Sequence, residues 1–118
     1  MTYKQDIVDD AGDISWAEFL VLYYLSKVRK AYKSTIMQDL IKRYGDSFEH
    51  GEYLIPGKEY SDEIDEAVTM MGEWGAISCD HDNRWSITEY GKDLVDCLMS
   101  GDFAWDEDVE KMIERVKA

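Results

Sequence analysis

The apolar residues of this chain change their spacing near position 76. Ile64, Ala67, Val68, Met71 and Trp74 recur at three and four, the period of a helix with one buried stripe. Gly75 interrupts that pattern. Ile77 and Cys79 then alternate with polar neighbours, and Trp85 and Ile87 do the same beyond the turn-forming run Asp80-His81-Asp82-Asn83. A helix followed at once by a short two-stranded hairpin admits few architectures. Strands this short bury too little to stand alone and must lie against helices supplied by the rest of the chain.

The sequence supplies those helices on both sides. Ser15 and Glu18 form an S-x-x-E capping box, which predicts a helix from Ser15 to about Lys30. Between Trp16 and Val28 it carries Phe19, Leu20, Val21, Leu22, Tyr23, Tyr24 and Leu25, apolar on nearly every side, so it reads as the central core helix. Thr35 and Gln38 repeat the box and predict a second helix over 35–44, with Ile36, Met37, Leu40, Ile41 and Tyr44 at helical spacing and Gly45 as its stop. Residues 45–60 hold four acidic side chains, further glycines and the single proline, Pro56, and read as a long loop with a short extended piece at Tyr53-Leu54-Ile55. Ser61 is placed to cap the third helix, over 61–74, and Thr88 a fourth through Met99, with Tyr90, Leu94, Val95 and Leu98 on one face. A fifth helix over 106–117 opens on Asp106, Glu107 and Asp108 and closes on Lys111, Arg115 and Lys117, which complements the helix dipole. The aromatic residues Trp16, Phe19, Tyr23, Tyr24, Trp74 and Trp85 read as core.

A chain of 118 residues with 45% hydrophobic residues fits one domain with one core, spanning 1–118. No apolar run is long enough for a bilayer and the N-terminus lacks a basic-then-apolar leader, so a cytoplasmic protein without a membrane partner is expected. Cys79 and Cys97 read as reduced, packed thiols, with strand alternation sending Cys79 inward. His50 and His81 are the only histidines, and neither stands in a catalytic or zinc-binding spacing. The pair Cys79-x-His81 lacks the partners of a closed four-ligand site. No glycine-rich phosphate loop occurs. Neither an enzyme, a metal nor a cofactor is expected.

Helix, helix, long loop, helix, hairpin, helix is the order of a winged helix-turn-helix, so the expected fold is mainly α with a small β-hairpin, plus a C-terminal helix. The local wording agrees. Trp85-Ser86-Ile87-Thr88-Glu89-Tyr90-Gly91-Lys92-Asp93-Leu94 resembles the wing-to-helix junction of MarR-like and PadR-like regulators, and Gly75-Ala76-Ile77 resembles their Gly-Leu-Ile step. The resemblance covers about 14–99, with its specific part near twenty residues. Thr88 caps the new helix there, and Gly91 permits close packing in its first turn. It implies a regulator acting in transcription or another nucleic-acid process. It also implies a homodimer through the extra C-terminal helix, with Phe103, Trp105, Val109, Met112, Ile113 and Val116 as the dimerisation residues.

Charge complicates that function. The chain carries a net −13, yet residues 27–44 alone carry +5. Lys27, Arg29, Lys30, Lys33, Lys42 and Arg43, with Arg84 in the wing, are the candidate nucleic-acid contacts, and nearness in sequence suggests one patch around Tyr32. The third helix, the usual reader, instead bears Asp62, Glu63, Asp65, Glu66 and Glu73 and no basic residue, with Lys58 alone nearby. Three readings follow for Asp62, Glu63, Asp65 and Glu66: a solvated acidic first turn, a surface for a basic protein partner or a mimic of DNA charge, or unusual major-groove contact. The basic stretch reads as phosphate contact, as contact with another copy's acidic helix, or as favourable charge at a helix end.

Overall fold

A computed structural model describes residues 3–49 and 60–117. Among these residues the elements run α1 Gln5–Gly12, α2 Trp16–Lys27, β1 Ala31–Tyr32, α3 Lys33–Glu49, α4 Tyr60–Trp74, β2 Ile77–Cys79, β3 Arg84–Ile87, α5 Glu89–Met99 and α6 Glu107–Lys117. The chain adopts the expected class, mainly helical with a small β-hairpin, and the hairpin is widened to a three-stranded antiparallel sheet. The piece expected at Tyr53-Leu54-Ile55 lies outside the described residues, as do His50 and Lys58.

The central helix is α2. Ser15 Oγ accepts from the Glu18 amide at 3.3 Å and Glu18 Oε1 accepts from the Ser15 amide at 2.9 Å, so the capping box forms as read. Trp16, Ala17, Phe19, Leu20, Val21, Leu22 and Leu25 are all buried. The helix stops at Lys27, short of the expected Lys30, because Val28 turns extended and Ala31–Tyr32 joins the sheet as a third strand. The order is β1-β3-β2, antiparallel throughout, with Ala31 opposite Trp85 and Ile77 opposite Ile87. That strand runs straight into α3 at Lys33. Thr35 therefore sits within the first turn and does not flank the helix as its cap. Gly45 does not end α3 either; the helix continues to Glu49, since a glycine stops a helix only where the backbone turns left-handed.

Such a left-handed turn does end α4. Gly75 has φ of +81°, its amide donates to Gly72 O at 3.1 Å, and the Ala76 amide donates to Met71 O at 2.9 Å. This is the paired closure that satisfies the last carbonyls of a helix. Thr88 is tied back to the same place: its hydroxyl donates to Gly75 O at 2.7 Å and its amide to Ala76 O at 3.0 Å. Thr88 Oγ1 also accepts from the Gly91 amide at 3.2 Å and so caps α5. The end of α4, the base of the wing and the start of α5 are thus one hydrogen-bonded knot, and the sequence pattern around 75–77 and 85–94 spells it out.

The termini close the core. Helix α1, which the sequence reading missed, buries Ile7 and Ala11, and Tyr90 on α5 donates its hydroxyl to Asp10. Helix α6 runs beside α2, with Val109 and Met112 near Gly12–Trp16 and Val116 near Tyr23 and Tyr44. Its apolar face, Val109, Met112, Ile113 and Val116, is buried within this single chain. Phe103 packs between Tyr3 and Trp105, and the Trp105 ring lies against Gly12. Of the six residues assigned to a dimer contact, these four helix positions are thus buried in the chain's own core, and Phe103 and Trp105 are partly buried against it.

Candidate functional site

The outer surface of α4 and the wing forms one continuous face. Asp62, Glu66, Thr69, Met70 and Glu73 of α4 are exposed, as their spacing from the buried Ile64, Val68 and Met71 requires; Thr69 and Glu73 border the wing, whereas Glu66 and Met70 border a hollow toward the start of α2. Glu63 is a correction: it is only 8% exposed and lines a hollow with Ser15 and Trp16, because it lies one turn before Ala67 on the inward stripe. Unlike the exposed Asp62 and Glu66, it is buried, although Glu66 borders the same hollow.

At the wing tip, the Asp80 carbonyl accepts from Asn83 N at 3.1 Å and the Asp80 amide donates to Arg84 O at 2.9 Å, while Asn83 takes a left-handed φ of 65°. This is a hairpin loop of the type I turn plus one left-handed residue. Asp80 also organises the tip through its side chain. Oδ1 accepts from the Asp82 and Arg84 amides at 2.9 and 3.0 Å, and Oδ2 meets Lys30 Nζ at 3.2 Å. The Arg84 amide above all, and the Lys30 ammonium after it, hold this carboxyl down at about 2. Arg84 Nε stands 3.6 Å from Asp80, and its terminal nitrogen 3.5 Å from Asp82. Lys33 reaches across to α4 and pairs with Asp65 at 2.7 Å. Between α4 and the wing runs a groove of about 810 Å³ lined by Thr69, Gly72, Glu73, Cys79 and Trp85. Cys79 is exposed there, against the inward position that alternation predicts. The strand lifts away from the core after Ile77, and the ring of its cross-strand partner Trp85 covers Gly72 instead. Cys97 is buried as expected, and burial pushes its thiol up.

The basic segment does not form one patch. Lys30 and Lys33 join Arg84 on the α4–wing face, each against a carboxylate. Lys27, Lys42 and Arg43 instead ring a separate cleft of about 500 Å³ between α2 and α3, together with Tyr23, Tyr24 and Asp39. Arg29 is exposed on the link between α2 and β1 and lines neither concavity. Lys27 Nζ sits 5.4 Å from the centre of the Tyr23 ring. Tyr24 donates to Asp39 Oδ2 at 2.6 Å, and burial first, then that carboxylate, push the phenol up to about 12. Sequence reasoning placed Tyr23 and Tyr24 in the core and passed over Asp39. Its one visible signal is that Asp39 is the sole carboxylate within 27–44.

Among the described residues no three His, Cys, Asp or Glu side chains gather as metal ligands, and no helix is long and apolar enough to cross a membrane. His81 projects from the wing tip, 91% exposed, with Nε2 3.6 Å from Asp82. Comparison with protein-family models, curated proteins and solved structures returns no match for this chain.

Proposed function

We propose that this chain is a non-enzymatic interaction module of winged-helix form whose α4–wing face receives a basic protein surface in place of a DNA duplex. One observation carries this reading: among the described residues, α4 and the wing present Asp62, Asp65, Glu66, Glu73, Asp80 and Asp82, against Lys30, Lys33 and Arg84. Pairing alone does not decide the matter, since an exposed ion pair contributes at most about 1 kcal/mol and a phosphate competes for its cation. The surplus decides it. Freeing all three cations still leaves these described residues with twice as many carboxylates as cations, a balance that repels phosphate most strongly at low salt. A cationic partner meets the opposite balance, and charge of this kind acts on encounter rate and on the choice of partner. The MarR-like wording of the α4–wing–α5 junction supports the form of the module and says nothing of what its face touches.

The test compares a labelled DNA duplex with a labelled arginine-rich peptide by fluorescence anisotropy at low salt. The wild type binds the peptide and leaves the duplex free. Reversing Asp62, Glu66 and Glu73 to Lys weakens peptide binding at least about fivefold. Reversing the exposed Asp93, Asp96 and Glu114, on α5 and α6, leaves it within about twofold despite the same change in net charge. Saturable duplex binding by the wild type, lost on replacing Lys30, Lys33 and Arg84 by Ala, refutes the proposal and restores a direct DNA-reading role.

A further inference from the structure

We propose that the cleft between α2 and α3 binds a nucleoside monophosphate unit, with its planar base against the tyrosine rings and its phosphate on Lys42 and Arg43. This cleft shares no residue with the α4–wing groove, so the inference stands apart from the function proposed above.

Charge is the first support. In a chain of net −13 the cations of 27–44 divide into two sets. Lys30 and Lys33 are held by carboxylates, whereas no ion pair among the described residues involves Lys27, Lys42 or Arg43. Three cations outside any ion pair, against the one carboxylate of Asp39, focus the local field of a concavity on an incoming anion.

The rings are the second. Tyr23 and Tyr24 are adjacent on α2 and half-buried, so each is fixed by the core at its base and open to the cleft at its edge. Lys27 already lies over Tyr23, and the bond from Tyr24 to Asp39 fixes the second ring. Aromatic side chains interleaved with basic ones are the means by which proteins hold a base and its phosphate together. The cleft volume of about 500 Å³ suits a ligand of that size.

Asp39 narrows the ligand class. A bare dianion gains from the cations but meets this carboxylate as a like charge. A ligand with N–H or O–H donors at one end and two negative charges at the other satisfies both, because Asp39 Oδ1 remains to accept while Oδ2 takes the Tyr24 hydroxyl. Base amino groups or ribose hydroxyls opposite a phosphate have that polarity. A free nucleotide and the phosphorylated end of a single strand share it.

Isothermal titration at low salt with adenosine monophosphate, adenosine, inorganic phosphate and a short single-stranded oligonucleotide bearing a terminal phosphate tests the site. Saturable binding of the monophosphate is expected, with adenosine and phosphate each at least about tenfold weaker. The double replacement Lys42→Ala with Arg43→Ala lowers that affinity at least about tenfold, and since both side chains are exposed the thermal melt stays unchanged. Asp39→Asn narrows the gap between the monophosphate and bare phosphate, a change of preference that loss of structure does not produce. If the oligonucleotide binds and the mononucleotide does not, with the same sensitivity to Lys42 and Arg43, the source is a strand end and the chemistry stands. Absence of binding by both, phosphate binding as tight as the monophosphate, or an unaffected double variant overturns the proposal.

Discussion

Replacing Gly91 by Ala tests the knot on which the architecture rests. A β-carbon added there meets the Ala76 carbonyl oxygen at 2.2 Å and Ile87 Cγ1 at 2.7 Å, so relief requires a shift of about 1 Å or more. The Ile87 side chain can move, but the carbonyl is main chain and accepts the Thr88 amide at 3.0 Å. Displacing it weakens that bond, a loss of about 1 kcal/mol, on top of about 1–3 kcal/mol for overpacking. Alanine returns about 1 kcal/mol of helix propensity in α5. The net expectation is a destabilisation of about 1–3 kcal/mol, a fall in Tm of roughly 4–12 °C for a domain of this size. Thermal and urea melts followed by far-UV circular dichroism measure it. Gly75→Ala is the comparison: nothing lies within 4 Å of its added β-carbon, and only the left-handed φ of +81° opposes it, at about 1 kcal/mol. Trimming Ile87 to Ala in the Gly91→Ala background, which removes the clashing Cγ1, restores little, because the nearer obstacle is backbone. A Gly91→Ala protein as stable as wild type refutes the reasoning.

Tyr24, raised from 10.0 to about 12, deprotonates late in an alkaline spectrophotometric titration; its contribution to stability is full below the ordinary value, declines as pH rises from 10 to about 12, and Asp39→Asn moves the titration back down. Asp80, lowered from 3.8 to about 2, runs the other way: its contribution is complete above 3.8 and is lost as pH falls through about 2, and Asp80→Ala speeds amide exchange at Asp82 and Arg84 at neutral pH. Ile113→Ala in α6 destabilises by about 2–4 kcal/mol, since this face is turned inward, and is expected to leave the solution mass at micromolar concentration unchanged; a dimer mass that collapses in the variant contradicts this.

The fold was legible where local chemistry is strong. Ser15 with Glu18, Gly75, Thr88 and Gly91 each act through bonds or contacts that a fixed backbone geometry demands, and each is a residue type with few substitutes. The hairpin was equally plain, because Asp80 through Asn83 is turn chemistry between alternating residues. Contacts between distant elements were not legible. Nothing in the order of residues brings Ala31 against Trp85 or Lys33 against Asp65, and so a basic run that looks like one patch separates into a neutralised set and a cleft-lining set. Cys79 escaped for a related reason: alternation gives the side of the strand, but burial also needs a neighbour beneath it, and the wing has left the core by that position. Helix α6 shows the same limit. Its apolar stripe is plain in the sequence, while the surface that covers it belongs to residues about a hundred positions earlier.

Amide chemical shifts of the labelled protein report, residue by residue, what the α4–wing face admits. Titration with the arginine-rich peptide at low salt is predicted to move the amides of 62–73 and 80–85 saturably, while an equimolar duplex leaves them in place. Duplex-induced shifts across those two segments, with none from the peptide, contradict it.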